Sequence, residues 1–115
     1  MGRATQVWDE LSGMLAAGDL SGIPDLYRAD ALYLEPYNPP HRGNLLIQAY
    51  LKDWLAGKDD VEIDAKRIVE SSDERSLGVE WTISYTAAGR RWNALPRASF
   101  FGLEDGRIDY HRDYT

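Results

Sequence analysis

The sequence predicts an α+β domain in which helices occupy the first half of the chain and strands the second. Two observations support this prediction. Apolar residues recur at helical spacing before Gly57, and they alternate with polar residues further along the chain. The length of 115 residues fits one domain with its own hydrophobic core. We find no repeat, low-complexity tract or linker, so we expect residues 1–115 to form a single domain.

The first two predicted helices lie close together at the start of the chain. Apolar side chains at helical spacing predict a helix over residues 3–17: Val7, Leu11, Met14 and Leu15. Gly18 is expected to end it, because glycine readily adopts the left-handed conformation found there. Asp19 can cap the next helix. This short second helix, with Pro24 in its first turn, is predicted from Ile23, Leu26 and Tyr27.

A short strand and a third helix complete the first half. The strand is predicted over residues 31–35. It is expected to end there, because the prolines in the segment 36–40 lack the N–H donors of a paired strand. The helix is predicted over residues 43–56, ending at Gly57. It is expected to bury one broad apolar face: Leu46, Ile47, Tyr50, Leu51, Trp54 and Leu55.

Four strands joined mostly by hairpins are predicted for the second half. They span residues 61–69, 77–86, 92–103 and 107–114. The second shows the clearest alternation, with Leu, Val, Trp, Ile and Tyr on one face and small or polar residues on the other. Turns are predicted at Ala88-Gly89 and at Glu104-Asp105-Gly106.

Composition argues against several classes of function. There is no cysteine and there are two histidines, His41 and His111, so we expect no metal site and no cofactor. The net charge of −6 argues against nucleic-acid binding. No apolar run is long enough to span a membrane and the N-terminus does not resemble a secretion signal, so a cytoplasmic protein is expected. Four tryptophans and seven tyrosines suit the lining of a small-molecule pocket.

Three stretches of the chain resemble the nuclear-transport-factor-2-like superfamily, which includes SnoaL-like cyclases and ketosteroid isomerases. They are Gly18-Asp19-Leu20 followed by Leu26-Tyr27-Arg28-Ala29-Asp30-Ala31, the Pro39-Pro40-His41-Arg42-Gly43 loop, and Asp105–Tyr114. The resemblance implies a cone-shaped fold, with a curved, mostly antiparallel sheet wrapped around an N-terminal helical hairpin and a third helix. It also implies one mostly apolar pocket and a homodimer formed through the exposed sheet face. Enzymes and non-catalytic binders share this fold.

Ketosteroid isomerase is the first relative to compare by residue. Its general base is an aspartate before a proline at the end of the first strand, where this chain has Glu35 before Pro36. Its oxyanion hole uses a tyrosine of the first helix, which this chain lacks. The acid that completes that hole is matched here by Ala98 or Ser99.

Limonene epoxide hydrolase is the second relative. Tyr33 matches a tyrosine, and Glu35 an asparagine, that hold the attacking water in that enzyme. Asp113 matches its catalytic base. The central strand of the hydrolase also carries an arginine and a second aspartate, which the segment 79–82 lacks. Arg97 is the one arginine expected to reach the same volume.

The resemblance and the alternation of side chains along strands together give the candidate site. The expected catalytic residues are Tyr33, Glu35, Arg97, His111 and Asp113, and the expected ligand-binding residues are Tyr50, Trp54, Trp81, Ser99 and Phe101. Asp109 should face the pocket with His111 and Asp113. Arg97 is expected to hold the carboxylates in place, and His41 is expected to be solvated in a loop.

Three functional hypotheses remain open from the sequence. The first is an acid–base enzyme of the isomerase, cyclase or lyase type, acting on a small apolar substrate such as a polyketide or terpenoid, with Glu35 or Asp113 as base. The second is an epoxide hydrolase with an incomplete catalytic set. The third is a non-catalytic ligand-binding or dimerisation domain, which needs only a shaped pocket with one or two polar anchors.

Overall fold

The computed structural model describes residues 2–115, which form three helices and six strands. Their order confirms the predicted α+β class. The elements are α1 (Arg3–Ala17), α2 (Ile23–Leu26), β1 (Tyr27–Leu34), β2 (His41–Arg42), α3 (Asn44–Leu55), β3 (Asp59–Glu70), β4 (Ser76–Ala87), β5 (Arg90–Glu104) and β6 (Arg107–Tyr114).

The long helices begin and end close to the predicted positions. Gly18 closes α1 in the left-handed conformation, with φ 70°, and its N–H donates to the carbonyl oxygen of Leu15. Gly43 precedes α3 with φ 98°, a value that suits glycine because it has no Cβ. Asp19 does not cap α2; its carboxylate instead accepts the backbone N–H and hydroxyl of Ser21 in the turn between the helices.

Strand β1 begins earlier than predicted. Tyr27 was expected at the end of α2, but it starts β1 and pairs with Ile108 of β6. The guanidinium of Arg107 donates to the carbonyl oxygens of Pro24 and Tyr27, at 2.9 and 2.7 Å, which fixes this junction. The short strand β2 was not predicted. It pairs His41 with Tyr33, so the proline-containing loop returns to the edge of the sheet.

The strands form one sheet in the order β2-β1-β6-β5-β4-β3. The β1–β6 pair is parallel and the other pairs are antiparallel. Tight turns at Ala88-Gly89 and Asp105-Gly106 join β4 to β5 and β5 to β6, with positive φ at both residues of each turn. Paired positive φ values match the right-handed twist of the strands that they connect.

The helices bury their apolar residues against one face of the sheet. Val7, Leu11 and Leu15 of α1 share a buried cluster with the alternating residues Leu77, Val79, Trp81 and Ile83 of β4. In α3 the buried stripe is narrower than predicted, because the helix packs mainly against α2 and the strands β1 and β2. Ile47 and Leu51 are buried, whereas Leu46 is 62% exposed. None of the helices in residues 2–115 is long and apolar enough to cross a membrane.

Candidate functional site

A cavity of about 530 Å³ lies between the helices and the sheet. This volume falls in the range of small-molecule sites, roughly 300–1,000 Å³. All the predicted site residues except Phe101 line it. Its wall is mainly apolar and aromatic, with contributions from α1, α3, β4 and β5. The polar side chains lie mostly at the ends of β1 and β6 and in the middle of β5.

Two predicted positions differ in the structure. Phe101 is buried behind the cavity, with its ring centroid 4.3 Å from that of His111 and 6.1 Å from that of Trp8, so it supports the wall without forming it. Asp109 does not line the cavity, and Ile108 takes the buried position instead. The cause is a register shift between β5 and β6 at Gly102 and Leu103, which reverses the alternation along β6.

Asp113 lies at the centre of the polar side chains that line the cavity. One carboxylate oxygen, Oδ2, accepts a short hydrogen bond from the Tyr33 hydroxyl. The other, Oδ1, accepts from Ser99 Oγ at 2.6 Å and from His111 Nε2 at 2.7 Å. The indole N–H of Trp81 in turn donates to Ser99 Oγ at 2.9 Å. Asp113 is thus held by three donors, and Trp81 orients one of them.

His111 connects Asp113 to a buried tyrosine. Because a carboxylate only accepts, His111 Nε2 carries the proton between them. On the other side of the ring, Nδ1 lies 2.7 Å from the hydroxyl of Tyr27, which is fully buried. That hydroxyl serves either protonation state of the histidine, since it donates to a neutral ring and accepts from a charged one. The ring stacks on Tyr33 with centroids 4.0 Å apart.

The electrostatics of this network keep Asp113 ionised. Burial opposes the charge, but the electrostatic attraction of His111 and hydrogen bonds from His111, Ser99 and Tyr33 hold the pKa of Asp113 below its usual value. Burial and the charge of Asp113 raise the pKa values of Tyr27 and Tyr33 well above the usual range. Both phenols are therefore neutral donors at physiological pH.

Glu35 lies just past the end of β1 and has fewer partners. Its carboxylate accepts the backbone N–H of Tyr37 at 3.1 Å and the hydroxyl of Tyr50 at 3.4 Å, the latter a long contact. Burial and the charges of Glu35 and Asp113 raise the pKa of Tyr50 to about 12, so its hydroxyl remains a donor. Glu35 thus presents a carboxylate to the cavity that the protein only partly satisfies.

The strand register explains why these groups meet. Leu34 pairs with Arg112 in the parallel ladder, which brings the following residues, Glu35 and Asp113, to the same end of neighbouring strands. Asp113 pairs with Ser99 across the next ladder. Neighbouring strands lie about 4.8 Å apart. Glu35, Asp113 and Ser99 therefore come from three adjacent strands at one level of the sheet.

Two basic residues depart from the sequence-based interpretation. His41 was expected to be solvated, but β2 carries it against the sheet, where it stacks on Tyr50 with centroids 4.1 Å apart. Its Nε2 atom is buried and has no hydrogen-bond partner among residues 2–115. Arg97 was expected to hold the carboxylates. It lines the cavity, but within the described chain it forms an ion pair with neither Glu35 nor Asp113.

Tyr27 is the main site residue that the sequence analysis missed. It was assigned to a helix, and its contact with His111 depends on a parallel pairing between distant segments. The cavity-lining residues of α1, Trp8, Leu11 and Leu15, were not proposed as ligand contacts. The apolar stripe of α1 was the signal that could have identified them. Within residues 2–115, no group of three or more acidic or histidine side chains is placed to hold a metal ion.

Comparisons with solved structures find many close folds. A ketosteroid isomerase-like protein from Catenulispora acidiphila, solved with trimethylamine, has a TM-score of 0.82 at 15% identity, over 95% of this chain and 84% of that one. An epoxide hydrolase of the limonene epoxide hydrolase-like type from M. tuberculosis has a TM-score of 0.78 at 21% identity, over 97% and 81%. A steroid Δ-isomerase from Pseudomonas aeruginosa has a TM-score of 0.72 at 27% identity, over 98% and 79%.

The sequence comparisons identify the family. No curated protein matches the chain. A family model for the SnoaL-like domain matches residues 8–111, which is most of the chain. Together with the shared topology of the solved structures, this match confirms the cone-shaped fold that the sequence resemblance implied. The chain therefore belongs to the SnoaL-like domain family of the nuclear-transport-factor-2-like superfamily.

Proposed function

We propose that the protein is an acid–base enzyme that moves a proton on a small, largely apolar organic molecule such as a polyketide or terpenoid. The reaction would be an isomerisation, cyclisation or elimination. The main support is the position of Glu35, a partly satisfied carboxylate at the wall of an aromatic cavity, beside a buried chain of proton donors. A cavity that only binds apolar molecules has no need of such a chain, since burying charged groups costs free energy.

Glu35 is a better candidate for the base than Asp113. Asp113 accepts three hydrogen bonds and its pKa is lowered, so its affinity for a substrate proton is reduced. Glu35 accepts two hydrogen bonds, one of them long, and keeps lone pairs free toward the cavity. An apolar substrate would also displace water from around Glu35, which strengthens a carboxylate as a base.

The network around Asp113 would stabilise the negative charge that develops on the substrate as Glu35 removes a proton. When a base removes a proton from a C–H bond, negative charge develops elsewhere on the substrate and requires a donor. The hydroxyls of Tyr33 and Ser99 lie at the cavity wall, and each donates its one proton to Asp113 in the free protein. A substrate oxygen that gains negative charge would therefore take over one of these two hydrogen bonds from Asp113. Behind them, His111 and Tyr27 continue the hydrogen-bonded chain into the core.

Ring opening of nitrobenzisoxazole tests this proposal without knowledge of the natural substrate. Removal of its single reactive C–H proton by a base opens the ring and releases a coloured nitrophenolate. We expect the protein to accelerate this reaction well above acetate buffer with the same carboxylate concentration, because the cavity combines a carboxylate with an aromatic wall. Thermal stabilisation by apolar ligands without any acceleration would instead support the ligand-binding hypothesis.

Epoxide hydrolysis is a second candidate, because Tyr33 hydrogen-bonds Asp113 beside the cavity. A water held by Tyr33 and Glu35 could be deprotonated by Asp113 and attack an epoxide. The segment of β4 that would supply an acid carries Glu80, which is exposed rather than directed into the cavity. Incubation with limonene oxide and with simple meso-epoxides tests this candidate: diol formation that Asp113→Asn abolishes would support it, and no diol would remove it.

We also propose that the protein forms a homodimer through the outer face of the sheet. Phe100 and Tyr114 are large apolar residues on that face, 52% and 45% exposed, and their rings contact each other edge to face. Phe100→Asp is expected to shift the protein from a dimer to its monomer mass of 13.0 kDa in light scattering at micromolar concentration. Leu45→Asp, on an exposed position of α3, is the control and should leave the dimer intact. A wild-type protein that is already monomeric would contradict the proposal.

A further inference from the structure

Arg97 is a cation in the cavity wall that lacks a protein partner. It is half-buried on β5, and it is the one arginine or lysine among the residues that line the cavity in the described chain. Within residues 2–115, its guanidinium makes no hydrogen bond and no salt bridge. The planar N–H donors of the guanidinium are therefore left to water or to a bound molecule.

The two carboxylates of the cavity differ from Arg97 in this respect. Asp113 already accepts hydrogen bonds from three side chains, and Glu35 accepts one from the backbone and one from Tyr50. The protein thus partly or fully satisfies its anionic groups but not its cation. A ligand with a negative charge would pair with Arg97, which has no protein partner, whereas a ligand with a positive charge would meet carboxylates that already accept hydrogen bonds.

The position of Arg97 also suits the charged end of an apolar ligand. Arg97 pairs with Trp81 on β4 and precedes Ser99 on the same face of β5. Two residues along a strand span about 7 Å, so an anion bound at Arg97 would lie about that far along the sheet from Glu35, Asp113 and Ser99. The aromatic rings of Trp54 and Trp81 line the space beside that path.

A second cation lies near this end of the cavity, but outside the residues that line it. Lys58 Nζ lies over the rings of Trp54 and Tyr85, 4.9 and 5.2 Å from their centroids. Burial and the nearby charge of Arg97 both lower the pKa of Lys58. Lys58 also donates to the backbone carbonyl oxygen of Trp54, so it already has a protein partner and adds only positive charge near Arg97.

We propose that Arg97 binds the carboxylate of the molecule held in this cavity, so that the ligands are small carboxylic acids with an apolar body. This inference rests on the proposed function only in taking the same cavity as the substrate site. The planar guanidinium matches the geometry of a carboxylate and can donate two parallel hydrogen bonds to it. The apolar body then extends along the aromatic wall toward Glu35.

Titration of the tryptophan fluorescence with three probes of the same shape tests this proposal. The probes are cyclohexylbutyrate, its neutral amide and cyclohexylbutylamine, and Trp8, Trp54 and Trp81 in the cavity wall provide the signal. We expect the carboxylate to bind about tenfold more tightly than the amide, because only the carboxylate forms an ion pair with the partly exposed Arg97, and this preference to weaken with added salt. The amine should bind most weakly.

Variants assign the preference to Arg97. Arg97→Met should remove the preference for the carboxylate and leave the amide bound about as tightly as before. Arg67→Met, an exposed arginine on β3, is the matched control and should keep the preference. A wild-type protein that binds the amide or the amine as tightly as the carboxylate would overturn the inference, and so would an Arg97→Met variant that keeps the preference.

The two proposals fail in different experiments. If the protein shows no preference for the carboxylate probe, the ring opening of neutral nitrobenzisoxazole still tests Glu35 as the base. If the protein does not open the ring, the preference for the carboxylate probe can still be measured and still tests Arg97. The comparison among the three probes in the wild-type protein also requires no variant to fold.

Discussion

Glu35→Gln is expected to lower the rate of nitrobenzisoxazole ring opening by about 10²–10⁴-fold, the usual contribution of a general base. The change keeps the shape of the side chain and its contact with Tyr50, but the amide cannot take a proton from carbon. Steady-state rates and the melting temperature should be measured together, because an unchanged melting temperature assigns the loss to chemistry rather than to folding.

Glu80→Gln is the matched control for this variant. Glu80 lies on the exposed face of β4, so the same chemical change is made away from the cavity. It should leave the rate unchanged. A Glu35→Gln protein that is folded and as active as the wild type would exclude Glu35 as the base and would favour Asp113 or a non-catalytic cavity.

Asp113→Ala is expected to destabilise the fold by roughly 3–5 kcal/mol near neutral pH, the range for removing one partner from a buried charged network. It leaves Tyr33, Ser99 and His111 without their acceptor in a site that water reaches poorly, since the Asp113 side chain is only 15% exposed. Chemical unfolding monitored by tryptophan fluorescence measures the effect. Asp9→Ala, on the exposed side of α1, is the control and should cost much less.

The pH dependence of this effect has a definite sign. The pKa of Asp113 in the folded protein lies below its usual value of 3.8, so the ionised carboxylate stabilises the fold fully above that value. The stabilisation is lost as the pH falls through the lower, folded-state pKa. The stabilisation that comes from the Asp113 charge should therefore shrink below about pH 3.8, measured as a smaller difference in unfolding free energy between wild type and Asp113→Ala there. A difference that grows as the pH falls below that value would contradict this assignment.

Local pattern was sufficient for much of the fold. The alternation along β4 predicted its buried residues Leu77, Val79, Trp81 and Ile83 because a strand with one buried face must alternate. The spacing in α1 and the glycine after it predicted both ends of that helix. These features are set by residues close in sequence, and a single sequence contains them.

Features that depend on pairing between distant segments were not predictable in this way. The register shift between β5 and β6 replaces Asp109 with Ile108 at a buried position, and no local pattern indicates it. The contact between Tyr27 and His111 arises from the parallel pairing of β1 with β6. Leu46 has the right spacing to be buried, but only the packing of α3 decides that this position faces solvent.

The candidate site was predictable in its residue types more than in its interactions. The family resemblance indicated Tyr33, Glu35 and Asp113, and alternation indicated Arg97 and Ser99 on the same face of β5. Which of them pair could not be inferred, because a hydrogen bond depends on positions known to a few tenths of an ångström. The structure pairs Asp113 with Tyr33, Ser99 and His111 and leaves Arg97 without a protein partner, and the proposed roles rest on that distribution.

A crystal structure with nitrobenzotriazole tests the central claim most directly. This unreactive analogue of nitrobenzisoxazole carries an N–H group where the substrate carries its reactive C–H. We expect the ring to lie between Trp81 and Tyr50 in the cavity, with the N–H donating to the Glu35 carboxylate at about 2.6–3.2 Å. An analogue bound outside the cavity, or bound inside it with the N–H directed away from Glu35, would contradict the assignment of Glu35 as the base.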